Sequence, residues 1–516
     1  MALNLGSLLA TSARRSPNAV AARTGSEELT YAELDVAARS FASELIETGI
    51  EPGSKVALML PNVPEFTIAY FGVLYAGGVV VPLSTLHVAD ELAFQLGDCE
   101  ATTFVVHADC ASAAFEAFGR TESCRNLYVV DGQSLPETPG EAKPFEQALD
   151  RSAHADVAQT RPDDTSVILY TSGTTGHPKG AELSHFNLFY NAQYISEKAF
   201  SLWPDEINVL GGGHVGLAVL PLYHTFGQTN VQNGMFFNGG TVSYVKRFTP
   251  EEAVEIIERH RVTFFAGVPT MYFALLNCPE AETADLSSLK FCVSGGAPMP
   301  VDVKREFYDR FGFRIQEGYG LTETSPLASV QAIDETAKAG TIGKPIPGVD
   351  MKIVDASDED LPAGERGEVL IRGHNVMKGY FKRPEATDEA LRGGWFHSGD
   401  IGYVDDEGDF HIVDRSKDMI LRGGYNVFPR EVEEVLYTHP SIIEAAVIGV
   451  PHERLGEDVK AVVALKPGSS TTPDEIAEYC KEHLAAYKYP RTVEIIDELP
   501  KGPTGKILKR ALKESP

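Results

Sequence analysis

The sequence is poor in cysteine, and the cysteines it has are scattered. Its 516 residues include six cysteines, with no C-x-x-C pair among them. Zinc sites and disulfide-rich secreted domains depend on closely spaced or paired cysteines, so the sequence indicates neither. At the N-terminus, apolar residues precede Arg14 and Arg15, which reverses the charge order of a secretory signal. We therefore expect a protein of a reducing compartment, the cytoplasm.

Positive charge is also in short supply. Lysine and arginine total 45 against 73 aspartates and glutamates, which leaves a formal net charge of −28. Such a chain repels nucleic acids and anionic membrane surfaces, whose binding depends on clustered basic residues. We therefore expect no nucleic-acid partner, and we expect any polyanion to bind in a local pocket.

Long apolar runs are rare as well. One uncharged run, residues 66–83, approaches the length of a membrane span. It is interrupted by Gly77 and Gly78 and continues with three valines before Pro82. This order is typical of a buried helix, a turn and a buried strand. We therefore expect no membrane span.

The chain is longer than one typical core, and its pattern changes twice. From Val56 to Ile315, short apolar runs such as VALML, LAVLPL and FCVSGG alternate with helical segments, which predicts layered α/β structure with largely parallel sheets. Closely spaced strands and turns from Met351 to Val413 predict a β-rich subdomain. The remaining pattern predicts a small α+β unit. We therefore predict a large N-terminal domain, residues 1–415, and a small C-terminal domain, residues 416–516.

The stretch YTSGTTGHPKG, residues 170–180, concentrates hydroxyls, glycines and one lysine. It departs from the nucleotide-binding loop G-x-x-x-x-G-K-[ST], because, counted from Gly173, Pro178 stands at the second glycine position and Gly180 follows the lysine. An apolar β-type run precedes the stretch, and a helix-compatible segment follows from His185. Clusters of Gly, Ser and Thr are also typical of ordinary turns. Taken alone, the stretch fits both a phosphate loop and a surface turn.

Three further motifs accompany this loop: EGYGLTETSP at 317–326, WFHSGDIGYVD at 395–405 and PKGPTGKILKR at 500–510. Together with DRSKDMILRGGYNVFPREVE at 414–433, they make the chain resemble the adenylate-forming superfamily of acyl-CoA synthetases, nonribosomal adenylation domains and luciferases. The resemblance runs in order through nearly the whole chain. It implies a ligase that uses ATP and Mg²⁺ to join a carboxylic acid to AMP, and then transfers the acyl group to an acceptor such as CoA. It also implies that the small C-terminal domain moves between the two steps.

The chemistry favours the same residue types. A carboxylate and the α-phosphate of ATP are both anions, so cations and N–H donors must offset their repulsion. The ring of Tyr319 suits stacking on a base, Asp400 can accept both ribose hydroxyls, and Glu323 is a hard oxygen ligand for Mg²⁺, to which the resemblance adds Thr171. A tyrosine at a core edge, a turn aspartate and a solvated glutamate are ordinary structural alternatives for the same residues.

The resemblance implies a nucleotide and CoA site drawn from every motif. Its expected residues are Thr171, Ser172, Gly173, Thr174, Thr175, Lys179, Gly295, Gly296, Ala297, Pro298, Glu317, Gly318, Tyr319, Gly320, Thr322, Asp400, Arg415, Lys417, Gly423 and Gly424. Within this set, Arg415 is expected at the ribose and Lys417 at the hinge of the C-terminal domain. Gly423 and Gly424 are expected beside the pantetheine channel.

Three residues are expected to be catalytic. By resemblance, Lys506 is the adenylation lysine that bridges the carboxylate and the α-phosphate, a task that suits a point cation on a long stem. Thr322 offers a hydroxyl to the α-phosphate, and His224, in the motif PLYHTFG, gates the thiol tunnel. Lysines near a C-terminus are commonly solvated, and a histidine among apolar residues commonly packs in a core, so both structural alternatives stay open.

The expected acyl pocket is mostly apolar. Its residues are Tyr223, His224, Phe226, Gly267, Val268, Met271 and Leu327. The neighbourhood His224–Gln228 has no carboxylate of the kind with which amino-acid-activating members hold an α-ammonium group. We therefore expect an apolar substrate acid, either a medium- or long-chain fatty acid or an aryl acid.

The acceptor is the least determined part of the prediction. No carrier-protein segment follows Lys506, and the sequence ends in Lys-Glu-Ser-Pro, not in a peroxisomal tripeptide. We therefore expect a free-standing acid–thiol ligase that uses CoA. An amide synthetase, a ligase for a separate carrier protein and a binding protein that keeps the fold without turnover stay open, as does the oligomeric state, a homodimer included.

Overall fold

The computed structural model describes residues 2–134, 142–171, 178–200, 213–332, 337–502 and 505–514. Its strands, numbered in chain order, are β1 (Val20–Thr24), β2 (Glu27–Thr30), β3 (Lys55–Met59), β4 (Val79–Pro82), β5 (Ala101–His107), β6 (Asn126–Val130), β7 (Ala142–Pro144), β8 (Thr165–Thr171), β9 (Lys179–Ser184), β10 (Val215–Ala218), β11 (Thr241–Tyr244), β12 (Phe264–Gly267), β13 (Phe291–Ser294), β14 (Ile315–Gly320), β15 (Leu327–Val330), β16 (Lys344–Pro345), β17 (Val349–Val354), β18 (Gly367–Gly373), β19 (Gly379–Tyr380), β20 (Phe396–Val404), β21 (Phe410–Arg415), β22 (Ile420–Arg422), β23 (Tyr425–Val427), β24 (Ile442–His452), β25 (Gly456–Leu465) and β26 (Thr492–Ile495).

The α-helices are α1 (Ser7–Arg15), α2 (Tyr31–Glu47), α3 (Pro64–Tyr75), α4 (Ala89–Asp98), α5 (Ala111–Gly119), α6 (Phe145–Leu149), α7 (His185–Phe200), α8 (Gly234–Asn238), α9 (Pro250–His260), α10 (Pro269–Leu276), α11 (Val301–Phe311), α12 (Pro384–Ala390), α13 (Pro429–Tyr437), α14 (Pro473–His483) and α15 (Lys509–Glu514). Caps that the sequence encodes fix several of these ends. Thr30 accepts a hydrogen bond from the backbone N–H of Glu33 and so begins α2, and Thr472 begins α14 in the same way through Glu475.

Two large sheets carry the N-terminal part of the chain. The first has the order β16-β15-β14-β13-β12-β10-β11-β1-β2 and is parallel from β14 to β1. The second has the order β19-β9-β8-β4-β3-β5-β6-β7 and is parallel from β8 to β7. These sheets confirm the predicted α/β class. Open α/β sheets bind ligands at the carboxyl ends of their strands, and β12, β13 and β14 end close together in the first sheet.

Two smaller sheets complete the fold. Antiparallel strands form the third sheet in the order β17-β18-β20-β21, as the pattern from Met351 to Val413 predicted. The fourth sheet contains β22 to β26 alone, so the chain after residue 419 has a sheet of its own, with two small buried clusters on its faces. A smaller C-terminal unit is therefore present, while its predicted boundary at residue 415 stays a prediction.

The uncharged run at residues 66–83 is core. Every residue of α3 except Glu65 is buried, and β4, which follows Gly77 and Gly78, is buried along its length. A helix that is apolar on all sides has no solvent face, which explains the absence of charge. The interpretation as helix, turn and strand is confirmed. No helix in the described part of the chain has the length and apolar character to cross a bilayer.

One predicted strand ends early. The run LAVLPL continues β10 in the sequence, but the strand stops at Ala218. The side chain of Asn62 donates to the carbonyl oxygens of Ala218 and Leu220, at 2.8 and 3.0 Å, and accepts from the backbone N–H of Leu222 at 2.9 Å. These bonds replace the sheet pairing and turn the following motif PLYHTFG into the site described below.

Gly320 is a packing constraint at the end of β14. A Cβ atom at this position would lie 1.6 Å from the carbonyl oxygen of Pro326, which belongs to the backbone and cannot rotate away. We expect Gly320→Ala to destabilise the fold by about 3 kcal/mol, the upper end of ordinary substitution effects. Chemical denaturation measures this change. The control is Gly97→Ala in α4, where the added methyl group meets nothing within 4 Å; it should be neutral or stabilising by up to about 1 kcal/mol. Equal stability of the two variants would contradict the packing at Gly320.

Candidate active site

A cleft of about 610 Å³ opens where the first three sheets meet the C-terminal unit. Many of the residues expected from the sequence line it. They are Thr171, Lys179, His224, Phe226, Val268, Gly295, Gly296, Gly318, Tyr319, Gly320, Thr322, Glu323, Leu327, Arg415, Lys417 and Lys506.

The other expected residues lie elsewhere. Tyr223, Gly267 and Met271 are buried behind the wall. Ala297, Pro298, Glu317, Asp400, Gly423 and Gly424 do not line the cleft. Ser172, Gly173, Thr174 and Thr175 lie outside the described residues. Whether each residue has its expected role stays a prediction.

Asp400 is the centre of a polar cluster just behind the cleft wall. Its carboxylate accepts a hydrogen bond from the hydroxyl of Tyr319 at 2.7 Å and lies 3.0 Å from Nε of Arg415. Its side chain is only 4% exposed. Residues 400 and 415 are direct partners across β20 and β21, so the sheet register creates the ion pair. Burial and the nearby Asp400 carboxylate raise the pKa of Tyr319 well above its usual value, and the phenol stays a donor.

Lys506 enters the cleft from the C-terminal unit. Its carrier loop touches the N-terminal part at Thr270, whose hydroxyl lies 3.3 Å from the carbonyl oxygen of Gly505. Gly505 has φ of +76° and leaves 3.2 Å between an added Cβ and Val268, so a larger residue would be strained and crowded. The pKa of Lys506 is lowered to about 8, mainly by burial and next by the charge of the Arg415 guanidinium. Its side chain still reaches the water of the cleft.

Glu323 and Lys179 also line the cleft. Glu323 is buried, and the hydroxyl of Tyr380 donates to its Oε1 at 2.9 Å. The ammonium group of Lys179 lies 5.2 Å from the centre of the Tyr380 ring. A buried carboxylate and the nearby Thr171 hydroxyl are donors of the kind that Mg²⁺ accepts together with phosphate oxygens, so the residues fit this ion. Tyr380 was missed in the sequence analysis.

The apolar run before the glycine-rich stretch is strand β8 and the segment from His185 is helix α7, as predicted, but the helix does not follow the stretch directly. Strand β9 stands between the stretch and α7, and Thr171 pairs with Lys179 across β8 and β9. The stretch therefore joins two antiparallel strands, and no helix N-terminus follows it directly. Any phosphate contact must come from backbone N–H groups, hydroxyls and Lys179.

Glu317 lies away from the cleft in a buried network. Its carboxylate lies 3.1 Å from Nζ of Lys304 and accepts from the backbone N–H of Met299 at 3.3 Å. Gln331 bonds to Lys304 at 2.9 Å and to the backbone N–H of Glu317 at 3.0 Å. These contacts give Glu317 a structural function, and its expected role toward the nucleotide stays a prediction.

The part of the wall where we expect the acyl group is more polar than the predicted pocket. Phe226, Val268 and Leu327 are apolar, but Thr225 and Asn230 also line the wall. The Thr225 hydroxyl and the Asn230 carboxamide oxygen are buried without hydrogen-bond partners in the described part of the chain. Thr225 directly precedes a π-helix, Phe226–Asn233, and Asn230 belongs to it. Single π-helical turns are frequently found at functional sites.

His224 lies at the same wall, and its buried Nε2 atom has no hydrogen-bond partner among the described residues. Burial, and then His87, lower its pKa to about 4. The imidazole is therefore neutral at physiological pH. Gly423 and Gly424 form the turn between β22 and β23, outside the cleft that contains Lys506.

Comparison with protein families agrees with this geometry. The model of the AMP-binding enzyme matches residues 9–381, and that of the AMP-binding enzyme C-terminal domain matches residues 431–506. The chain belongs to the AMP-binding enzyme family. The predicted resemblance to adenylate-forming enzymes is confirmed, and enzymes of this family use ATP.

Individual relatives cover nearly the whole chain. A long-chain-fatty-acid–CoA ligase of Bacillus subtilis (strain 168) is 37% identical, with 99% of this chain and 94% of the relative aligned. A feruloyl-CoA synthase of Amycolatopsis sp is 40% identical, with 98% and 97% aligned. ATP-bound MatB from Rhodopseudomonas palustris is 31% identical, with a TM-score of 0.89 over 100% of this chain and 99% of that one. The apo form of MatB, aligned over the same fractions of both chains, has a TM-score of 0.79. The present structure is therefore more similar to ATP-bound MatB than to apo MatB.

The Asp400 cluster generates a binding prediction. Asp400→Asn keeps the size of the side chain but removes the charge that pairs with Arg415. We expect AMP to bind roughly 10-fold to 100-fold more weakly, the range for losing a charged hydrogen bond. Calorimetric titration with AMP measures this change. Asp350→Asn, which breaks an exposed ion pair with Arg372, is the control and should bind AMP normally. If Asp400→Asn binds AMP with unchanged affinity, Asp400 does not contribute to the nucleotide site.

Proposed function

We propose that this protein is an AMP-forming acid–CoA ligase whose adenylation site is the cleft described above. The observation that carries the proposal is the convergence of Lys506, from the C-terminal unit, with the Asp400–Arg415 pair and the Glu323 wall. A cation, a nucleotide-ribose acceptor and an oxygen donor for metal are the groups that carboxylate activation requires. The names of the two curated relatives support CoA as the acceptor.

The first step joins the acid to the nucleotide. A carboxylate oxygen attacks the α-phosphorus of ATP, and the bond to the β-phosphate breaks and releases pyrophosphate. Lys506 offsets the repulsion between the two anions, and we assign the hydroxyl of Thr322 to the α-phosphate. We assign Lys179 to the outer phosphates. Mg²⁺, when bound at Glu323 and Thr171, supplies neutralisation of the phosphate charge.

The second step transfers the acyl group. The sulfur of CoA attacks the acyl carbon, the bond to the AMP oxygen breaks, and the thiol proton is released. Neutral His224 lies at the wall through which we propose that the thiol arrives. We place the domain boundary between residues 415 and 416 and the hinge at Lys417. Rotation there withdraws Lys506 and brings Gly423 and Gly424 toward the pantetheine arm.

The side chains that line the cleft support a class of substrate acid. Phe226, Val268 and Leu327 provide apolar surface for a fatty or aryl group, and no carboxylate among the described wall residues near His224 offers to hold an amino group. The decisive experiment is pyrophosphate release from MgATP over a panel of fatty and aryl acids, with and without CoA, with products identified by mass. Acyl-CoA, AMP and pyrophosphate in equal amounts support the proposal. Accumulation of acyl-AMP in the presence of CoA would show that the acceptor is not CoA. No turnover with any acid would overturn the proposal.

Substitution of Lys506 should affect the two steps of the reaction differently. We expect Lys506→Ala to lower acyl-AMP formation by roughly 100-fold or more, since a preorganised cation at developing charge is lost. Thioester formation from supplied acyl-AMP should be largely unchanged. The control is Lys481→Ala on α14, which breaks only an exposed pair with Glu478. Equal loss of both steps would contradict the role of Lys506.

The pH dependence of adenylation reports the same lysine. With a pKa of about 8, Lys506 is charged below that pH and neutral above it. We therefore expect kcat/KM for ATP, which reports the free enzyme, to fall as pH rises through about 8. Lys506→Arg keeps its charge at high pH, so the alkaline fall should disappear even if the rate is lower throughout. A fall that is identical in both proteins would assign it to another group.

A further inference from the structure

A short segment, residues 379–383, contacts both Lys179 and Glu323 in the wall of the cleft. We call it the bracket segment. It follows β18 and leads into α12, and its first two residues form β19 at the edge of the second sheet. Neither the sequence motifs nor the family resemblance assigned it a function.

The bracket segment is fixed to the far end of the glycine-rich stretch through its backbone. Strand β19 pairs with β9, with Tyr380 opposite Ala181. The backbone N–H of Phe381 donates to the carbonyl oxygen of Gly180 at 2.8 Å. Because Gly180 is adjacent to Lys179, these bonds hold the backbone of that lysine against the segment.

The same segment is fixed to the near end of the stretch through side chains. Arg383 forms an ion pair with Asp98, whose side chain is 10% exposed. The hydroxyl of Tyr170 donates to the other oxygen of the Asp98 carboxylate at 2.8 Å. Tyr170 directly precedes Thr171, so both ends of the stretch are tied to the bracket segment.

Tyr380 is the residue of this segment that reaches the cleft. Its hydroxyl donates to Oε1 of Glu323 at 2.9 Å, and its ring lies beneath the ammonium group of Lys179 at 5.2 Å. Its backbone N–H donates to the hydroxyl of Thr387 at 2.9 Å, which fixes the start of the side chain. Burial, and then the Glu323 carboxylate, raise the pKa of Tyr380, so the phenol stays protonated and remains a donor.

We propose that Tyr380 is a positioning residue that holds the Glu323 carboxylate and the Lys179 ammonium group in one relative arrangement, ready for a metal-bound triphosphate. A hydrogen bond to one carboxylate oxygen removes the rotational freedom of Glu323 and leaves the other oxygen for a metal. Partners of this kind typically contribute 10- to 100-fold to metal affinity. The inference rests on the proposed function for the identity of the ligand.

The test measures binding without turnover. The probe is α,β-methylene ATP, in which the bond broken in adenylation is replaced, titrated by calorimetry with and without Mg²⁺. Tyr380→Phe keeps the ring beneath Lys179 and removes only the hydroxyl. We expect this variant to lose roughly 10-fold of the affinity that Mg²⁺ adds, with the metal-free affinity unchanged. Tyr380→Leu removes the ring as well, so its metal-free affinity should also fall.

Two controls separate positioning from general stability. Tyr190→Phe removes a hydroxyl that donates to the carbonyl oxygen of Pro347 at 2.8 Å, outside the cleft, and should bind the analogue normally. Thioester formation from supplied acyl-AMP involves neither the outer phosphates nor the metal, so it should be unchanged in Tyr380→Phe.

The outcomes are distinct. A full Mg²⁺-dependent gain in Tyr380→Phe would overturn the proposal, and so would an equal loss of affinity with and without Mg²⁺, which would indicate a structural role. Loss of only the Mg²⁺-dependent gain supports it. If no acid releases pyrophosphate but the analogue still shows this loss, the ligase function fails and the positioning role of Tyr380 stands.

Discussion

Repulsion between two anions is the constraint on which the site depends, and it must be met on a protein with a net charge of −28. The cleft meets it locally. Lys179, Arg415, Lys417 and Lys506 all line it. Burial first, and then the charge of Arg415, lower the pKa of Lys506, which is the cost of placing this cation there. Asp400 limits that cost, because it pairs with Arg415 and favours the charged form of Lys506. The site thus gathers cations around the buried carboxylate of Asp400.

The fold explains how these charges come together. Strand ends of the first sheet provide glycines and Tyr319 at one wall, and the hairpin of the second sheet provides Lys179. The third sheet provides Asp400 and Arg415 as paired residues of adjacent strands. Lys506 alone comes from beyond the fourth sheet, and its loop meets the N-terminal part at Thr270. In the proposed two-step mechanism, Lys506 leaves the cleft before the second step.

Sequence reasoning succeeded in placing residues at the cleft where these residues are local in the chain. Tyr319, Thr322 and Glu323 lie within one motif, which resembles the family's signature, and all three line the cleft. It failed where the deciding partner is distant: Glu323 and Tyr380 are 57 residues apart, and Asp98 and Arg383 are 285 apart. The early end of β10 has the same cause, since Asn62 lies 156 residues before Ala218. Nothing in a local pattern shows which tyrosine or asparagine will arrive at a given carboxylate or carbonyl.

The acyl wall shows why whole-chain similarity does not name the acid. Relatives of 37% and 40% identity are named for a long-chain fatty acid and for feruloyl-CoA, so similar identity accompanies chemically different acyl groups. The adenylation groups act on the carboxylate and phosphates, which every substrate has. In the proposed mechanism, selection of the acid comes from other side chains of the cleft wall, on the π-helix and at Val268 and Leu327. Unpartnered buried oxygens such as those of Thr225 and Asn230 cost roughly 1–3 kcal/mol each. A wall that contains them differs physically from a purely hydrocarbon tunnel.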